Sequence, residues 1–65
     1  MNRIKEVREF MKVTQTELAQ SSQVSQPYLH DLENNRRGAK PETLERIAKA
    51  LGVEVSDLMV AEKVG

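Results

Sequence analysis

Two helix-start signals eleven residues apart, at Thr14 and Ser25, constrain this chain more than any other feature. Thr14-Gln-Thr-Glu17 reads as a capping box: the Thr14 hydroxyl can accept from the Glu17 amide while the Glu17 side chain reaches back to Thr14. Val13 can staple onto Leu18 in front of it. Ser21-Ser22-Gln23 is turn-like, and Val24 is an apolar plug. Ser25 then caps a further helix, with Pro27 in its first turn, where a missing amide proton costs little. With Pro27 offering no N–H, the Ser25 hydroxyl must use the Tyr28 amide. Two short helices joined by a tight polar turn form a helix-turn-helix over about residues 14–34.

The remaining sequence reads as scaffold. Ile4, Val7 and Met11 recur at helical spacing and predict a first helix from about Asn2 to Met11, with Phe10 off the stripe. The second helix ends near Ser22. Leu29 and Leu32 form the inward face of the third, which stops near Asn34-Asn35. A basic loop over 36–41 closes at Pro41, which suits the start of a fourth helix. Leu44, Ile47, Ala48 and Leu51 make its buried stripe, and Gly52 stops it. Val53 and Val55 lead into a short fifth helix around Ser56–Val60, with Leu58 and Met59 inward, and residues 61–65 are expected to fray. The expected fold is all-α, five short helices around one core, in a single domain spanning 1–65.

Composition excludes more than it identifies. The chain has no Cys and one His, so neither a disulfide framework nor a metal site is expected, and no cofactor. His30 and Asp31 are adjacent and point about 100° apart on a helix, so they cannot act as a catalytic dyad. With no glycine-rich phosphate loop and no room for a large concave site in 65 residues, an enzyme is rejected. No signal peptide or membrane span is read, and the expected location is the cytoplasm. No separate effector domain is read either.

Charge is balanced, with ten basic and ten acidic residues, which argues mildly against a nucleic-acid partner. Its distribution argues the other way. Arg36, Arg37 and Lys40 cluster in a stretch without acidic residues from Asn34 to Pro41, and from Val13 to His30 the only charge is Glu17. A surface that lies against phosphates tolerates few carboxylates. A chance neutral stretch and a solubilising loop would look the same.

Five segments together resemble the Cro-type, phage-repressor-like helix-turn-helix family, also called the XRE family: Ile4-Lys-Glu-Val-Arg8, Val13-Thr-Gln-Thr-Glu-Leu-Ala19, Val24-Ser-Gln-Pro-Tyr-Leu29, Leu32-Glu-Asn34 and Pro41-Glu-Thr-Leu-Glu-Arg-Ile-Ala-Lys-Ala-Leu-Gly-Val53. The resemblance covers residues 4–59 and implies a lambda-repressor-like fold. Two positions depart from the family's pattern. The family usually has Gly in the turn, where this chain has Gln23, and often has Gly where this chain has Asn35.

The resemblance implies that the third helix enters the major groove of duplex DNA, with Ser25, Gln26, Pro27, His30 and Asp31 toward base edges. It also implies that Gln26 reads adenine, that Gln15 braces it and meets a phosphate, and that Arg8 and Glu33 form a structural ion pair. Without the family, Gln15 and Gln26 read simply as polar first-turn residues. Asp31 has two readings, an acceptor for cytosine N4 or a solvated rim residue that repels phosphate. Tyr28 has two as well, a phosphate donor or a packing residue. Phosphate contacts fall to Thr14, Gln15, Tyr28, Asn34, Arg36, Arg37 and Lys40. The expected function is a small sequence-specific DNA-binding regulator, a dimeric repressor on a near-palindromic operator, with Phe10, Val60 and Val64 as candidate dimer contacts. The competing expectation is a protein-interaction module on the same fold, such as an antitoxin or adaptor.

Overall fold

The computed structural model describes residues 2–59. Four α-helices follow one another: α1 (Ile4–Phe10), α2 (Gln15–Ser22), α3 (Gln26–Glu33) and α4 (Pro41–Leu51). A single 3-10 helix over Val55–Leu58 completes the order. α2 packs on α3 and α4, while α1 rests on α3 and on the 3-10 helix. The amphipathic stripe of α4 packs against α2 and the 3-10 helix. Ile4, Leu18, Leu29, Leu32, Ile47 and Leu58 are the largest side chains with no exposed surface. Each contributes on the order of 1.5–3 kcal/mol by leaving water.

All four α-helices stop in the same way. A left-handed residue, Lys12, Gln23, Asn35 or Gly52, follows the last helical turn. Its amide and the next one close onto earlier carbonyls: Gln23 and Val24 donate to Gln20 and Ala19, and Asn35 and Arg36 donate to Leu32 and Asp31. This is the Schellman arrangement, which satisfies carbonyls that a helix end would leave bare. Only one of the four positions carries the glycine that adopts this backbone without strain.

Near both limits of the described residues the structure differs from expectation. α1 begins at Ile4, because Asn2 and Arg3 are engaged elsewhere. The Arg3 amide donates to the Leu58 carbonyl at 2.7 Å, and Asn2 bridges antiparallel to Met59. The Asn2 side chain accepts from the Ile4 amide at 3.0 Å and donates to the Leu32 carbonyl at 2.8 Å, tying the start of α1 to the end of α3. Met11 lies beyond the end of α1 and is exposed, and Val7 is only half-buried. The fifth element is one 3-10 turn that starts a residue earlier than the expected helix. Asp57 folds its carboxylate back onto the Glu54 amide at 3.0 Å. Leu58 must drop into the core while Met59 turns extended to meet Asn2, which leaves no length for an α-turn. Met59 is therefore exposed rather than inward. Val60, Val64 and the tail expected to fray lie outside the described residues.

Candidate nucleic-acid interface

The helix-turn-helix is built from its caps. The Glu17 amide donates to Thr14 Oγ1 at 3.1 Å and the Thr14 amide donates to Glu17 Oε1 at 2.9 Å, which completes the capping box. These bonds from Thr14, its backbone amide first, hold the Glu17 carboxyl below its ordinary pKa. Gln23 turns the chain at φ 59 and ψ 36, and Val24 plugs the space beneath it. The Ser25 hydroxyl accepts from the Tyr28 amide at 3.3 Å, and α3 begins.

α3 divides cleanly by face. Leu29, Leu32 and Glu33 are buried; Ser25, Gln26, Pro27 and His30 are exposed; Tyr28 and Asp31 are half-buried between them. Burial of Glu33 is compensated by a dense set of donors. Arg8 Nε donates to Glu33 Oε2 at 2.7 Å and Arg8 Nη2 to Glu33 Oε1 at 3.1 Å. Arg8 Nη1 also donates to the Val13 carbonyl at 2.9 Å, in the link between α1 and α2. The hydrogen bonds to Glu33 push the Arg8 pKa further up from its already high ordinary value, against the opposing effect of desolvation.

The network continues to the surface. Gln15 Nε2 donates to Glu33 Oε1 at 3.2 Å, and Gln26 Nε2 donates to Gln15 Oε1 at 3.4 Å. A carboxylate only accepts, so Glu33 fixes which end of the Gln15 amide turns inward. The Gln15 carbonyl then faces Gln26 and engages one of its amide protons. Gln26 keeps its own carbonyl oxygen and a second amide proton for solvent. Those two groups match the N6 donor and N7 acceptor on the major-groove edge of adenine.

At the other end of α3, the turn that closes the helix folds charges five and six residues apart onto one another. Asp31 lies 3.5 Å from Arg37 Nε and 3.9 Å from Arg36 Nη1. The Arg37 guanidinium sits over the Tyr28 ring, 5.8 Å from its centroid. Asp31 thus belongs with the loop arginines and Tyr28, on a flank of α3 rather than on the exposed face that carries Gln26 and His30. Asn34 Nδ2 donates to the His30 carbonyl at 2.7 Å and closes the helix end. Lys40, the residue before α4, is exposed and has no ion-pair partner within 4.0 Å among the described residues. Two partners of this surface escape sequence reading: Glu33 as the acceptor for Gln15, and Asp31 as the counter-charge to Arg36 and Arg37. Packing of α2 on α3 brings the first into reach, and the turn that closes α3 brings the second. Among the described residues no helix is long and apolar enough to cross a membrane.

The sequence model of the helix-turn-helix family matches residues 4–58. The chain is 42% identical over 60 residues to the immunity repressor protein of Bacillus phage phi105, a match covering 92% of this chain and 42% of the phage protein. It is 37% identical over 57 residues to the HTH-type transcriptional regulator DdrOP3 of Deinococcus deserti, covering 88% of this chain and 44% of that one. The chain therefore spans less than half the length of these two relatives. Among solved structures, it is similar to the clp gene regulator ClgR from C. glutamicum, with a TM-score of 0.80 and 39% identity over 83% of this chain and 70% of that one. It is also similar to the restriction-modification controller protein C.AhdI from Aeromonas hydrophila, with a TM-score of 0.82 and 25% identity over 85% of this chain and 83% of that one. With a family match over nearly its whole described length and relatives that are regulators rather than enzymes, this chain belongs to the XRE-type, phage-repressor-like helix-turn-helix family of DNA-binding transcription regulators.

Proposed function

We propose that the chain binds duplex DNA in a sequence-specific way and acts as a repressor, as a homodimer on a near-palindromic operator. The observation that carries this reading is the hydrogen-bonded line from Arg8 through Glu33 and Gln15 to Gln26. It holds an exposed amide at the first turn of α3 with one acceptor and one donor unengaged. Gln26 reads adenine, and Ser25, Pro27 and His30 complete the surface toward the bases. Asp31 is left out of this set, because its carboxylate lies with the loop arginines.

Phosphate contacts come from both ends of the motif. The hydroxyl protons of Thr14 and Tyr28, and amide protons of Gln15 and Asn34, supply neutral donors, and Arg36, Arg37 and Lys40 supply charge. One such domain makes few contacts, so two copies on half-sites one helical turn apart, roughly 34 Å, multiply the affinity. Phe10, 83% exposed on α1, is the described residue best suited to the apolar part of such a dimer contact.

Selection of bound sequences from a random duplex pool tests the proposal. A near-palindrome with adenine at symmetric positions supports the dimeric reader. An enriched single half-site removes the dimer and keeps the reader. Failure to retain any duplex at low salt, where phosphate contacts help most, overturns the reading in favour of a protein-interaction module, such as an antitoxin or adaptor.

A further inference from the structure

Arg36 and Arg37 are the strongest cationic feature beside α3, yet both lie within ion-pair distance of one carboxylate. Asp31 Oδ2 is 3.5 Å from Arg37 Nε and Asp31 Oδ1 is 3.9 Å from Arg36 Nη1. Tyr28 and Asp31, three residues apart on α3, occupy the same flank. The Arg37 guanidinium is laid along that flank, over the Tyr28 ring at 5.8 Å. The Asp31 side chain keeps only 31% of its surface, while the two arginines keep 68% and 64%. The carboxylate is thus seated and the arginines reach toward it from solvent.

We propose that Asp31 is an internal competitor for phosphate, and that it sets how strongly the 36–40 loop grips DNA of any sequence. The inference rests on the duplex-binding reading above. A carboxylate and a phosphate oxygen accept from the same guanidinium protons, and Asp31 is present at every encounter. A phosphate must displace it or share the arginines with it, and its own charge repels the backbone as well. Lys40, by contrast, has no ion-pair partner among the described residues, so the competition falls on the two arginines. Base reading by Gln26, at the opposite end of α3, is untouched. Asp31 thereby limits the sequence-independent part of binding and leaves recognition to the amide network.

Asp31→Asn removes the charge and keeps the shape. On a random-sequence duplex at moderate salt the variant binds on the order of threefold to tenfold tighter than wild type, and its log–log salt slope steepens by about 0.9 for each arginine that gains a phosphate. Asp31→Ala gives the same tightening, which separates loss of charge from any contact made by the new amide. In an Arg36→Ala, Arg37→Ala background most of the gain from Asp31→Asn disappears. Thermal melts of Asp31→Asn and wild type coincide within about two degrees, since exposed ion pairs contribute little to stability. Unchanged or weaker duplex binding by both Asp31 variants overturns the competitor role, as does a gain that persists undiminished without the arginines. If neither wild type nor the variants retain any duplex at low salt, the duplex-binding reading fails and takes this inference with it. If wild type binds and the tightening is missing, only this inference fails.

Discussion

Gln23 holds a conformation that a residue with a Cβ adopts under strain, at φ 59 in the turn between α2 and α3. Its side chain is exposed, so nothing in the core rewards it. Gln23→Gly relieves about 1–2 kcal/mol of left-handed strain and gives back about 0.4–1 kcal/mol through a floppier unfolded chain. The net gain is roughly 0.5–1 kcal/mol, and the melting temperature rises by roughly 2–8 °C. An unchanged or lower melting point would show that the turn is not strained. Gln26 is the opposite case, a residue whose removal leaves the fold alone. Gln26→Ala is expected to shift stability by less than about 0.5 kcal/mol. It relaxes preference at one base position by roughly 1–3 kcal/mol and leaves the salt slope unaltered. Binding measured on operator variants over a salt series checks both, and a uniform loss on every sequence would make Gln26 an anchor instead of a reader.

At the scale of elements, the caps carry the motif, because helices of seven or eight residues are too short to persist on their own. The capping box on α2 has a consequence in pH. Thr14 holds the folded-state pKa of Glu17 below the value it takes in the unfolded chain. A depressed carboxyl stabilises the fold above the unfolded value and loses that contribution as pH falls through the folded one. The stability of wild type therefore declines as pH falls below the ordinary glutamate value, about 4.3. Glu17→Gln, which keeps an acceptor for the Thr14 amide and cannot titrate, declines less steeply across the same window. Melting curves from neutral to acid pH decide it: parallel curves for the two proteins would mean that the box is not charge-assisted. Capping boxes of this kind are visible in sequence because both partners lie within four residues. The 3-10 helix was not legible in the same way. Its apolar pattern suits an α-helix, and only the pairing of Asn2 with Met59 and of Arg3 with Leu58 shortens it.

For the whole molecule, the buried pair Arg8–Glu33 connects three helices and the link between α1 and α2. Glu33 keeps 1% of its side-chain surface and accepts from both Arg8 and Gln15. Glu33→Ala leaves a largely buried guanidinium without its hydrogen-bonded counter-charge, a loss of about 3–5 kcal/mol. The core of a domain this small rarely supplies more than about 3–5 kcal/mol, so the variant is largely unfolded at room temperature. Far-ultraviolet circular dichroism reads this directly, and a cooperative melt within a degree of wild type would remove the pair from the fold's support. Replacing both charges, as in Arg8→Met with Glu33→Leu, recovers much of the stability because no orphaned charge remains. It does not restore base preference, since Gln15 then has no acceptor to set its sense.

The division between sequence and tertiary structure follows from the distance over which each physical effect acts. Caps, turn residues and the periodic stripes of Leu, Ile and Val act within a few positions, so the four helices and their order were legible from residues alone. The family resemblance came from the joint spacing of those same local signals. Contacts between side chains far apart in the chain depend on where the helices finally pack. The union of Gln26, Gln15 and Glu33 and the outward turn of Met59 were decided there, whereas the seating of Arg36 and Arg37 against Asp31 is a local product of the turn that closes α3. Sequence determined that Thr14 to Glu33 forms two capped helices around a turn. Tertiary structure decided which amide of that motif is held to face outward, because the acceptor that orients it lies on another helix.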